Sequence, residues 1–550
     1  HDALPISVVF AILTTLLNPT VHIENVRALL TTLATAEASV LAIVFSVTVV
    51  ALQLVVTRYS ARLTSLFAKE PLFRTTFALF VGAIGFNLLA IYLLPVQSGR
   101  LVNAVVGIAF GLAAVSTLAL YQFIQLMIQR SSPDELISVL IERELAPTEY
   151  LPETVGKFNE VEVHPIRPLY TTVSRAIELG EYQTAAQGID GLRTVLTRTF
   201  EYLSAKYSQE DAAEFASVVS SEILIAYVPP ILEQAYTRDQ YDLISNTVDK
   251  VEDIALHALD RGFTDVTEDA AEGLGDAFDG APLTWEGNRL RRPVTETLVE
   301  LAKVTASKSN YWTFRSVFHQ LDIHMTVLLR RRPDSNVTTQ LVGDYYRRDS
   351  IDIFETLVDR YGPQVQDKEI NWISPTEGRK WTLPDEAEPL RHFWREYAKF
   401  TQTVLRYRIS EEEYPFVEGS IDDGWRRAAE YAADAEVAEL ATLCCISMIQ
   451  LAYAVDKIGD GNIGMWKNNL GSLRRDYDPA IVDRAFELLK AGERPEGANI
   501  SVHASLSDDA DGGFFTRLFN SEAEEPSFEE WVVEFEKQVD ERTEYLRERQ

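Results

Sequence analysis

The chain predicts an all-α fold: a four-helix transmembrane bundle followed by a large cytoplasmic α-helical domain, a helical array or bundle with little or no β structure. Three observations predict it. Residues 1–130 hold four apolar spans. Beyond them apolar residues recur three and four apart, the spacing of one helix face, without the alternation of strands. Charge divides at the same place, with 7 Lys+Arg against 4 Asp+Glu up to residue 130 and 44 against 78 after it, a net of −34.

The spans fall at residues 4–17, 33–56, 73–94 and 101–128. A bilayer core ~30 Å thick needs ~20 apolar residues of helix, and Leu33 to Val56 supplies them. The first span is short. The chain opens at His1 rather than Met, and His1 to Ser7 reads as foreign sequence, so a truncated first helix is expected; the basic region and cleavage site of a signal peptide are also missing. Arg58, Arg62, Lys69 and Arg74 crowd the loop between the second and third spans. Lys and Arg near span ends are retained on the cytoplasmic side, which places both termini in the cytoplasm of a multi-pass cell-membrane protein.

Within the second span Ser39, Ser46 and Gln53 recur every seven residues, drifting only ~20° per heptad. Polar groups in hydrocarbon face protein or water, so this stripe is expected to point into the bundle with Glu37 near its outer end. Interhelical hydrogen bonding is one reading; a pore or ion path is the other. Gly107 and Gly111 form a small-residue face for close packing on the fourth span, Gly82 and Gly85 lighten the third, and Gln122, Gln125 and Gln129 give the fourth a polar end read as a packing seam.

The run from Val44 to Leu94, with Ala51-Leu52-Gln53-Leu54, Arg58-Tyr59-Ser60-Ala61-Arg62-Leu63 and Phe77 to Leu94, resembles the membrane region of the prokaryotic family called domain of unknown function 2254. Members are predicted membrane proteins, so the resemblance implies a multi-pass region and brings no activity. Tyr121-Gln122-Phe123-Ile124-Gln125 is similar too, although the family carries histidines where this chain has Gln125 and Leu126. Thr184-Ala185, Ile189-Asp190 and Leu192 resemble a further family pattern, with Glu181-Tyr182-Gln183 in place of its Asn-Asp-Pro.

The soluble part divides into a helical domain over 131–365, a Pro- and Trp-bearing connection over 366–389, a second helical part over 390–492, a disordered linker over 493–526 and an amphipathic helix over 527–550. Ser132 to Glu135 reads as a helix start, 145–168 as a stretch with a short extended segment, and breaks are expected at Gly180, Pro229-Pro230, Gly262, Gly280 to Pro282 and Pro333. Helical pattern resumes at 390–405, 422–453 and 479–491, the last capped by Asp478, opened by Pro479 and closed by Gly492. Ser527 and Glu530 make a capping box, and Trp531, Phe535, Val539 and Leu546 a stripe that docks on its own domain.

Composition narrows the partners. An acidic surface repels phosphate backbones, so nucleic acid is excluded. With 13 Lys against 38 Arg beside the acid excess, the pattern is that of a halophile, where concentrated salt screens self-repulsion; an acidic binding surface is the competing reading. Cys444 and Cys445 are adjacent on a buried helix and read as small core hydrophobes. Ser507, Asp509, Asp511 and Gly512 mimic a calcium loop, but its twelfth position is Leu518. His319 and His324, five apart, do not converge on a metal. The acid-rich run from Asp265 to Asp279 reads as a solvated face or loop, with loose cation binding as the alternative. No catalytic motif and no cofactor signature appears, so the expected function is a membrane-anchored scaffold or sensor that binds a cytoplasmic protein and is not an enzyme. The alternative is a homo-oligomeric channel lined by the stripe.

Overall fold

A computed structural model describes residues 23–58, 71–93, 100–130, 137–138, 140–145, 166–308, 310–330, 335–365, 387–410, 415–458, 463–492 and 527–549. Among them no strand occurs. The chain forms two compact units, residues 1–198 and 199–550.

In the first unit α1 (Ile23–Arg58), α2 (Pro71–Leu93) and α3 (Arg100–Arg130) are the long apolar helices. They correspond to the second, third and fourth expected spans; the first, at 4–17, lies outside the described residues. Helix α1 starts ten residues before the expected Leu33. Helix α2 packs against both α1 and α3, around Val26, Leu30, Ala90, Val102 and Ala109. Outward they present Ile43, Phe45, Val47, Val50, Leu88, Leu89 and Leu93, a surface that hydrocarbon accepts and water does not. A π turn (Leu140–Glu144), α4 (Arg167–Leu179) and α5 (Tyr182–Lys206) follow, the division between units falling within α5.

The second unit is built from α6 (Gln209–Ser221), a π turn (Glu222–Tyr227), α7 (Val228–Thr237), α8 (Tyr241–Asp260), α9 (Thr264–Gly280), α10 (Asn288–Ser307), α11 (Tyr311–Arg330), α12 (Ser335–Asp344), a π turn (Tyr345–Asp349), α13 (Ser350–Val365), α14 (Glu388–Ser410), α15 (Pro415–Asp434), α16 (Ala438–Ile458), α17 (Ile463–Asp476), α18 (Pro479–Lys490) and α19 (Phe528–Glu548). Helices pack on their sequence neighbours one and two along: α7 on α9, α8 on α9 and α10, α9 on α11, α13 on α15, α15 on α16 and α17. That is the stacking of a helical array.

Four helix ends close in one way. At Gly180, Asp239, Gly262 and Glu436 φ is +77°, +55°, +77° and +60°. In each the next residue's N–H reaches back to a carbonyl of the preceding turn, as Phe263 does to Ala258 at 2.9 Å and Val437 to Ala432 at 2.9 Å. This is the Schellman closure. Glycine adopts its left-handed residue at no steric cost, which made Gly180 and Gly262 visible beforehand; Asp239 and Glu436 carry no such mark. The helix expected over 422–453 is therefore two, broken at Glu436. Conversely, the break expected at Pro229-Pro230 is absent. The π turn before them absorbs the missing donors, with the Val228 N–H bonded to Ile223 O, and the helix runs on.

Helix α9 corrects another expectation. Its acidic residues were read as a solvated face, yet Val266, Ala270, Ala271, Leu274, Ala277 and Phe278 are buried, and only Asp265, Glu272 and Asp276 lie on an exposed edge. The helix is a core element pressed from two sides. A Cβ at Gly273 would stand 2.0 Å from the Leu224 carbonyl oxygen, and one at Gly275 1.8 Å from His324 Nε2.

The C-terminal helix docks on its own unit as expected. Ser527 Oγ accepts from the Glu530 N–H at 3.2 Å and Glu530 Oε2 from the Ser527 N–H at 2.9 Å, completing the capping box. Trp531 Nε1 donates to Asp456 at 2.8 Å, its ring stacks edge-on against Tyr453, and Lys490 pairs with Glu536 at 2.9 Å. Helix α18 has the Asp478 cap, bonded to the Ala480 N–H at 3.0 Å, and ends before Gly492 at φ +74°. The expected linker over 493–526, the extended stretch and the Ser132 start lie outside the described residues, apart from Leu145 and residues 166–168.

Candidate functional site

Four helices among the described residues are long and apolar enough to cross a membrane: Glu24–Val50, Arg74–Leu93, Ala104–Gln125 and Gln209–Thr237. The first three have 17%, 28% and 17% of their apolar windows buried, the fourth 56%. The fourth also carries Glu210, Asp211, Glu214, Glu222 and Glu233. It is a core element of the second unit, and the first three are the spans.

Which face of α1 packs follows from its seam. Val26, Leu30, Ala34, Glu37 and Thr48 are buried, at helical spacing. Ser39 lies two residues from Glu37, about 200° around the helix. The stripe of Ser39, Ser46 and Gln53 is accordingly exposed on the far side and does not point into the bundle. Ser39 and Ser46 tolerate that position because their hydroxyls donate to the Thr35 and Ala42 carbonyls at 2.8 and 2.9 Å.

Glu37 is the stripe member the structure buries, 6% exposed, and it meets a residue the sequence did not single out. Asn87 on α2, fully buried, donates from Nδ2 to Glu37 Oε2 at 2.9 Å. Among the described residues Glu37 Oε1 and Asn87 Oδ1 have no hydrogen-bond partner. Asn87 could have been found as the one amide in an otherwise apolar stretch of the third span.

The remaining membrane expectations divide. Gly107 is buried and Gly111 half-buried, in keeping with a packing face. Gly82 and Gly85 meet nothing within 4 Å of an added Cβ, so they mediate no close approach among the described residues. Gln122 and Gln125 are exposed, and the packing residue between them is Phe123. Arg58 ends α1 and Arg74 is exposed on the first turn of α2; Arg62 and Lys69 lie outside the described residues.

In the second unit the π turn Tyr345–Asp349 borders a small open cleft. Asn288, Arg292, Thr295 and Glu296 line it from one face of α10, with Gln340, Asp344, Arg348 and Asp349 opposite. Arg292 pairs with Glu296 at 3.0 Å and Arg348 with Asp349 at 3.3 Å. Burial pushes the Asp349 carboxyl up to about 6, against the pull of Arg348. Neither amide atom of Asn288, 7% exposed, has a partner among the described residues.

Among the described residues no group of three His, Cys, Asp or Glu side chains could hold a metal. His324 is buried between Gln320 at 3.1 Å and Asp279 at 3.2 Å, packing against the Phe278 ring. Cys444 and Cys445 are free and fully buried, and burial raises both thiols, Cys445 to about 12. The calcium-like loop at 507–518 lies outside the described residues.

No curated protein matches the chain. A solved chain described as a "Circular tandem repeat protein with novel repeat topology and enhanced subunit contact surfaces" covers 76% of this chain and 98% of its own, at 14% identity and a TM-score of 0.27, too low to carry an argument. A family model described as "Predicted membrane protein (DUF2254)" matches residues 3–150; the further resemblance at Thr184 to Leu192 falls outside that match, and Ala185, Ile189 and Leu192 there are buried core. Residues 3–150, which hold three long apolar helices among the described residues, are thus similar to a family of predicted membrane proteins (DUF2254), as a multi-pass membrane region requires.

Proposed function

We propose that this protein is a membrane-anchored helical scaffold or sensor of the cell membrane, non-enzymatic, with both termini and its second unit in the cytoplasm, where it binds a protein partner. The observation that carries the reading is the stacking of α7 to α17 on their sequence neighbours. Stacked arrays present long continuous surfaces that other proteins use for recognition. Trp312 is 67% exposed and Trp285 48%, and aromatic side chains of this kind anchor interfaces. The docked α19 is not the partner site, since its apolar face is already occupied. The test is crosslinking of the full-length protein in its own membrane, with Trp312→Ala and Trp285→Ala as variants. A crosslinked protein weakened by either variant supports the reading; crosslinks that neither changes refute the aromatic anchor.

One observation favours the homo-oligomeric channel as a second reading. Ser39, Ser46 and Gln53 are exposed among the described residues, where further copies of α1 would enclose them. Light scattering of the detergent-solubilised protein in high salt decides. A trimer to pentamer, with ion flux lost in Gln53→Leu, supports the channel; a monomer or dimer removes it.

A further inference from the structure

The Glu37 and Asn87 side chains make one hydrogen bond and leave one atom on each without a partner: Asn87 Nδ2 donates to Glu37 Oε2 at 2.9 Å, while Glu37 Oε1 and Asn87 Oδ1 are both satisfied by nothing among the described residues. Both leftover atoms are acceptors. A carboxylate cannot complete such a pair, because it has no proton to give. A carboxylic acid can, since an O–H on Oε1 donating to Oδ1, beside the existing Nδ2–H to Oε2 bond, closes an eight-membered ring that satisfies all four atoms.

We propose that Glu37 and Asn87 form a neutral carboxylic acid–carboxamide pair, so that the contact between α1 and α2 is a proton-binding site within the spans. The proton comes from a hydronium ion of the solvent: one O–H bond of the hydronium breaks, one forms on Glu37 Oε1, and neutral water is left. Among the described residues the surroundings give an ionised Glu37 no compensating cation. On α1 the other titratable side chains described are Glu24 and Arg27, both exposed and roughly three turns away. On α2 they are Arg74 and Tyr92, and on α3 Tyr121, all exposed. A charge held where hydrocarbon and packed helices exclude water is costly unless paired, and an amide donor alone does not pair it. The inference stands apart from the scaffold and channel readings, because it rests on this one contact.

The test is infrared difference spectroscopy on the full-length protein in lipid nanodiscs near neutral pH. Glu37→Gln is isosteric and pairs with Asn87 as amide to amide, so the fold is retained. The parent-minus-E37Q spectrum is expected to show the C=O stretch of a protonated carboxylic acid. Asn87→Ala keeps the acid and removes its partner, and is expected to move that band to higher frequency. Loss of carboxylate bands in E37Q with no acid band overturns the proposal. Should E37Q fail to insert, the parent-minus-N87A spectrum carries the same decision: a shifted acid band supports it and a shifted carboxylate band overturns it.

Discussion

Asp349 illustrates how much a single buried carboxyl couples this fold to pH. Its value is pushed up to about 6, chiefly by desolvation in the π turn. A carboxyl raised in the folded state contributes stability that is fully present below its unfolded value, ~3.9, and lost as pH rises through about 6. Asp349→Asn has no charge to desolvate. The variant is expected to exceed the parent by about 1 to 2 kcal/mol at neutral pH and to match it near pH 4, read as thermal midpoints of the second unit at the two pH values. An equal difference at both would refute the linkage. Neither this residue nor its cleft companion Asn288 was legible beforehand. Carboxylates are so frequent in this chain that composition cannot rank them, whereas burial and a π turn can. Glu37 was legible as an intramembrane acid; Asn87 was not recognised as its partner, because pairing across 50 residues depends on how two helices are rotated.

Among the elements, local chemistry predicted ends better than it predicted continuity. The Asp478 cap and the Ser527–Glu530 box act within one turn, so the residues that make them stand next to each other in the chain. The turn at Glu436 does not announce itself, since the left-handed conformation there is imposed by α15 and α16 packing together. Glycine relieves such a residue of its Cβ strain. Glu436→Gly is therefore expected to stabilise the second unit by about 1 kcal/mol, whereas Glu436→Ala gains nothing of the kind; chemical denaturation of both variants checks it. Helix α9 shows the opposite error. Its six Asp and Glu residues suggest solvent, but Ala and Gly on its other faces let neighbours approach until their backbones touch, and the acids are left along the edges.

Over the whole molecule the charge imbalance is the property that reaches farthest. A net of −34 after residue 130 opposes compaction by self-repulsion, which salt screens as the Debye length falls from about 10 Å at 0.1 M to about 3 Å at 1 M. The thermal midpoint of the full-length protein is expected to rise between those two concentrations of sodium chloride, and a midpoint that is flat or falls would refute salt adaptation of the surface. The sequence by itself determined the all-helical class, the apolar spans, the capped helices and the acid excess. Each depends on residues within a turn or two of one another, or on composition. Only the tertiary structure decided that Glu37 turns inward while Ser39, Ser46 and Gln53 turn out, that Pro229-Pro230 is bridged and Glu436 is not, and that the acidic α9 is core. A sequence fixes which residues share a helix face, but the face that is buried is chosen by the neighbour it meets.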